Sequence, residues 1–138
     1  MSIANDAMGS DKYAAEANSA LASSQYCAVK LDSTAPASSL HHLFAVILPS
    51  AGERPQFLVT EPGALNATVH VCGLIPGKQY IGRAGGAIAR GDVLVVTAAG
   101  KFLSTGTSGD AIVGYALGPA DGDGSLFSFI AVGTGTVG

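Results

Sequence analysis

The residue groups with chemical potential come first, because each fixes the backbone that it would need. Gly133, Gly135 and Gly138 have the spacing of a dinucleotide-binding fingerprint. That motif works between a strand and a helix whose N-terminus receives a pyrophosphate, and here the sequence leaves no helix to follow. Gly73-Leu-Ile-Pro-Gly77-Lys78 is one residue short of a phosphate loop, with Gln79 where a magnesium-binding hydroxyl belongs. A turn at Pro76-Gly77 accounts for it better. Gly106-Thr-Ser108-Gly109 is one residue short of a nucleophile elbow and precedes no helix. Asp121-Gly-Asp123-Gly-Ser125 begins like a calcium loop, but Val132 stands where the bidentate Glu should be. Local Asx turns explain those aspartates.

His41, His42, His70, Cys27 and Cys72 are the residues that could hold a metal. His70 and Cys72 would share one face of a strand, since side chains alternate with period two. No Cys-x-x-Cys or His-x-x-x-His spacing joins them to the others, so buried thiols and a hydrogen-bonded imidazole are expected instead. Asn66-Ala-Thr68 has the letters of a glycosylation acceptor, which matter only in a secreted chain. No constellation for catalysis assembles. The expectation is a protein that is not an enzyme, with no catalytic, cofactor or metal residues.

The elements that carry these residues read as strands from Gln25 onward. Candidates are Tyr26–Leu31, Leu43–Leu48, Gln56–Thr60, Ala67–Cys72, Gln79–Arg83, Asp92–Thr97, Lys101–Leu103, Ala111–Ala116 and Ser125–Val132. Their spacing of about ten residues, with Gly, Pro and Asp between, is that of an all-β barrel or sandwich. The runs Leu43–Leu48 and Val93–Val96 are apolar throughout, which predicts burial on both faces. Gly100 suits positive φ in a tight hairpin, Asp92 can bond its own loop backbone, and Gly114 marks a bulge or a close backbone approach. Residues 1–24 differ: rich in Ala, Ser and Asn, they suggest an N-terminal arm with a weak helix over Lys12 to Leu21, capped by Ser10 or Asp11. The tail Gly133–Gly138 has little to pack and is expected to extend outward or lie on a partner.

Composition narrows the classes. Of 138 residues, 63 are Ala, Gly, Ser or Thr, and charged residues are only 12%. Mean hydropathy is +0.39, which argues against general disorder. A net charge of −3 with seven scattered Lys and Arg excludes the basic stripe of a nucleic-acid binder. No apolar run is long enough for a membrane helix, and the N-terminus lacks the pattern of a secretory signal. Synthesis in a reducing cytosol is the simpler expectation for Cys27 and Cys72, and a disulfide between them stays open. So little charge suggests a surface made to be covered by partners.

A resemblance sharpens this. Gly85-Gly-Ala-Ile-Ala-Arg-Gly-Asp92-Val-Leu-Val-Val, Ala99-Gly-Lys101-Phe-Leu, Asp110-Ala-Ile-Val-Gly-Tyr-Ala116 and Gly124-Ser-Leu-Phe-Ser-Phe-Ile-Ala131 together resemble small capsid decoration proteins of tailed bacteriophages. Gln79-Tyr80-Ile81-Gly82 matches a preceding short segment of that family. The resemblance covers about sixty residues well and the first half loosely. It implies a cement protein on the outer surface of the expanded capsid, made in the host bacterial cytoplasm. It would bridge neighbouring major capsid protein subunits and act as a homo-oligomer, a trimer or else a dimer. The expected architecture is an arm at 1–24 and a β-rich decoration domain at 25–138. The rival reading is a ligand- or carbohydrate-binding β module on a virion or cell surface, which needs exposed aromatics along a groove. Nine aromatics without Trp, most of them in strands, fit that less well.

Overall fold

A computed structural model describes residues 12–33 and 44–138. The chain builds two curved sheets in succession, and among the described residues there is no helix. The first sheet holds β1 (Lys12–Ala17), β2 (Ala28–Leu31), β3 (Ala45–Ile47), β4 (Phe57–Glu61) and β5 (Thr68–Gly73). It closes into a barrel in the order β1-β3-β2-β4-β5. All its pairs are antiparallel except β1 with β3, and a bulge interrupts β4 between Val59 and Glu61.

Period-two alternation fills the barrel. Val29, Val46, Val59, Val69 and Val71 point inward with Ala15 and Ala17, and Leu21 joins them from the β1–β2 loop. A five-stranded barrel has a narrow interior, so Val and Ala suffice where larger side chains would clash. The next positions along the same face carry aromatics. Tyr13, Phe44 and Phe57 meet in pairs with centroids 5.2 to 6.1 Å apart and close one end of the barrel.

The second sheet holds β6 (Gln79–Arg83), β7 (Val93–Val96), β8 (Phe102–Leu103), β9 (Gly114–Ala116) and β10 (Leu126–Ala131), in the order β6-β10-β9-β7-β8. It is antiparallel and curls until a bridge between Ala84 and Phe102 brings its two edges together. Phe102, Phe127 and Phe129 fill the inside of the curl, 4.7 to 5.9 Å apart. Tyr80 lies against Phe129, and its hydroxyl donates to the Gly73 carbonyl at 2.6 Å while accepting the Ile75 amide at 2.8 Å. The floor of this core is the outer wall of the barrel. Ala28, Leu58 and Cys72, which alternate with the inward valines of β2, β4 and β5, pack into the same cluster as the phenylalanines.

Three local devices lock the sheets together. Gly100, at φ +78° in the β7–β8 turn, accepts the Ala28 amide at 2.7 Å, and a Cβ there would lie 2.3 Å from the Ala28 carbonyl oxygen. Arg83 donates to the Gln25 and Gly124 carbonyls. Arg54, in the β3–β4 connection, donates to the carbonyls of Ile112, Val132 and Gly135 at 2.7, 3.3 and 2.9 Å.

All nine strands expected from Gln25 onward are present: six have shorter bounds, Gln79–Arg83 is as expected, and Phe57–Glu61 and Thr68–Gly73 are shifted by one residue. The helix expected over Lys12 to Leu21 is not. Residues 12–17 form β1, which joins β3 to β5 and closes the barrel, because Ala15 and Ala17 fit the interior as a strand while Tyr13 caps its end. Residues 12–24 are thus built into the barrel, and residues 1–11 of the expected arm lie outside the described residues. The tail does not extend outward: Ile112 donates to Gly135, Val137 to Asp110, and Gly109 to Val137, all at 2.8 to 3.0 Å. Those carbonyls and amides find partners in the 109–112 segment, which holds the tail more cheaply than solvent alone would. Of the two apolar runs, Leu94 to Val96 is buried on both faces, whereas in β3 only Val46 is fully buried.

Candidate interaction surface

The motifs resolve into turns. Ile75 to Lys78 is a β-turn with Gly77 at φ +88°, and Lys78 donates to the Ile75 carbonyl at 3.1 Å. Thr107 to Asp110 is another, in which the Asp110 carboxylate accepts the Thr107 amide at 2.8 Å. Gly122 to Ser125 closes a third, and Asp123 there pairs with Lys101 at 2.8 Å. Asp92 accepts the Ala89 amide at 2.8 Å. At Gly114 a Cβ would sit 2.2 Å from the Ile130 carbonyl oxygen, so β9 and β10 approach too closely for any side chain.

His70 and Cys72 do lie on one face of β5, the outside of the barrel, but they meet different surroundings. His70 is exposed and pairs with Glu61 at 2.9 Å, whereas Cys72 lies beneath the second sheet. Both cysteines are buried, and neither forms a disulfide. Burial pushes the Cys27 thiol up, against the opposing fields of Arg83 and Lys101. His41 and His42 lie outside the described residues. Among the described residues, no three His, Cys, Asp or Glu side chains gather as metal ligands do.

What the fold does assemble is an uncharged surface. The outward face of the second sheet carries a row that crosses four strands, Gln79 of β6, Ile130 of β10, Tyr115 of β9 and Val93 of β7. A second row places Ile81 opposite Ser128, beside Leu117, whose amide bonds the Ser128 carbonyl. Leu126 follows opposite Arg83, whose guanidinium is turned to backbone carbonyls. Ile81, Val93, Tyr115, Leu117 and Leu126 expose 36 to 48% of their surface. Beyond Val93 the face runs into an apolar cleft of about 240 Å³ between β7 and the tail, lined by Val93, Val95, Ile112 and Val137.

A second apolar site is the aromatic end of the barrel, where Tyr13 and Leu31 are more than two-fifths exposed over half-buried Phe44 and Phe57. The sequence carries a signal for the first surface: Leu126, Phe127, Phe129, Ile130 and Val132 place large apolar groups on both faces of the last strand, so one face can meet a neighbour. The aromatic end was hidden by the helix reading of Lys12 to Leu21, although Tyr13-x-Ala15-x-Ala17 carries its period-two signal.

The class defined by these observations is an all-β protein of a closed barrel joined to a curled antiparallel sheet. Among solved structures, it is similar to the N base of head fiber gp8.5 in bacteriophage phi29. The TM-score is 0.68 at 16% identity, over 87% of this chain and 92% of that one. At that identity the likeness is one of fold. No protein-family model matches the sequence, and no curated protein matches it either.

Proposed function

We propose that this is a structural protein of a tailed-phage virion, bound to the outside of the expanded capsid. It bridges neighbouring major capsid protein subunits and acts as a homo-oligomer. The observation that carries the reading is the fold shared, over 87% of the chain, with the base of a phage head fiber. The charge-poor composition and the two apolar surfaces support it, since a surface of this kind suits lasting contact with other subunits. A protein that binds one state of the shell favours that state by mass action, and many identical weak sites on one lattice add up.

The segment ahead of β1 is assigned the reach to an adjacent subunit. Its test is a deletion of residues 2–11, since a longer one would remove β1 and with it barrel closure. The decisive experiment mixes the purified protein with expanded and unexpanded capsids and sediments them. Expected is co-sedimentation with the expanded shell alone, at lower occupancy for the deletion variant. Binding to neither shell overturns the cement reading, and unchanged occupancy of the deletion variant overturns the role of the arm.

A further inference from the structure

We infer that the outward face of the second sheet, centred on Tyr115 and Ile130, is where a second copy of this chain docks. The inference rests on the homo-oligomer part of the proposal above and gives it a surface.

Charge is the first argument. The two central rows, Gln79–Ile130–Tyr115–Val93 and Ile81–Ser128–Leu117, contain no ionisable group except the Tyr115 phenol. A partner must therefore present an equally uncharged surface, because a charge opposite these residues would be desolvated without compensation. This chain supplies such a surface in the same face. Area is the second argument. Four strands of three to six residues make an apolar centre about 15 Å wide across the strands and about 10 to 20 Å along them. That suits the core of a standard interface, which takes about 800 Å² from each partner, or about an eighth of the 6607 Å² surface here. Relief is the third. Ile81 and Leu126 stand out on the β6–β10 flank, while the 240 Å³ cleft opens beyond β7 on the other flank. One face thus carries both projections and a recess, and a rotation can bring the projections of one copy to the recess of another.

Sedimentation equilibrium of the full chain is the test, with Tyr115→Lys and Leu126→Lys as disrupting variants. Leu65→Lys, on the β4–β5 loop and 53% exposed, is the control outside the face. Expected is a wild-type mass of two or more whole multiples of 13.7 kDa. The dissociation constant should rise by about 100-fold or more in the Tyr115 variant, as for a charge buried unpaired in an interface, with far-UV circular dichroism unchanged. The Leu65 variant should stay assembled. If Tyr115→Lys fails to fold, Leu126→Lys gives the reading in its place. A monomeric wild type overturns the homo-oligomer reading and this inference together. An assembled wild type whose folded face variants remain assembled overturns this inference alone. Capsid co-sedimentation is scored separately, so failure of the cement reading is distinguishable from both.

Discussion

Gly114 shows how far a single atom can decide this structure. Its missing Cβ is what lets β9 lie against the Ile130 carbonyl, and the obstacle to a side chain is backbone, which cannot rotate away. Gly114→Ala is therefore expected to cost about 3 kcal/mol or more, at the upper end of overpacking, and to lower the urea midpoint accordingly. Cys27 and Cys72 make a second expectation at this scale. Both are buried, and burial keeps the Cys27 thiol protonated, so a thiol reagent should label neither at an appreciable rate in the native protein. Full labelling within minutes without denaturant would contradict the packing. Glu53 supplies a dependence on pH. The Ser50 amide first, and then the Lys30 ammonium, hold its carboxyl below the ordinary value of 4.5. A depressed folded pKa adds stability above the unfolded value, and this is lost as pH falls through the folded one. The group is largely exposed, so the contribution at pH 7 should stay below about 1 kcal/mol. Urea midpoints of wild type and Glu53→Gln should differ slightly at neutral pH and converge below pH 4.5.

At the scale of elements, Arg54 is the fastening whose loss should be visible without unfolding. Its guanidinium gathers the carbonyls of Ile112, Val132 and Gly135, so it holds the tail, and the start of β9 behind it, to the β3–β4 connection. Arg54→Ala should destabilise by about 2 kcal/mol, as for lost bonds to a charged donor, and speed amide exchange at Gly109 and Val137 ahead of the strands. Uniform exchange throughout would count against a local role. Element scale is also where the limits of sequence reading show. The strands from Gln25 onward were legible because Val, Ile and Phe alternate or run between Gly, Pro and Asp turns, which is a local signal. β1 was not legible, because Ala14, Ala15 and Ala17 favour a helix by local propensity. Their strand state comes from non-local pairing with β3 and β5 and from an interior too narrow for larger side chains. The tail is not legible for the same reason, since its partners lie over twenty residues earlier in the chain. The outward face of the second sheet was half legible: alternation in Leu126, Ser128 and Ile130 shows an exposed apolar side. The rows across β6, β9 and β7 depend on register, which no single strand encodes.

For the whole molecule, the arrangement of the two sheets makes them one folding unit rather than two. Ala28, Leu58 and Cys72 sit on barrel strands, yet they pack with Phe102, Phe127 and Phe129 of the curled sheet. The barrel wall is thus both the outside of one core and the floor of the other. Without it the phenylalanines would face water, and without the curled sheet the barrel would expose a row of apolar side chains. Neither half can open without uncovering apolar surface of the other, at about 25 cal/mol for each Å² uncovered. Unfolding should therefore be a single cooperative transition, with far-UV and near-UV signals coincident and calorimetric and van't Hoff enthalpies equal. Leu58→Ala tests this directly, because the side chain belongs to a barrel strand but to the other sheet's core. It should cost about 2 to 5 kcal/mol, as leucine truncations in packed cores do, and shift the whole transition to lower temperature. A split into two transitions would show that the shared floor does not couple the sheets. In that case the interlocks at Gly100, Arg83 and Arg54 would be alignment devices rather than consequences of one core.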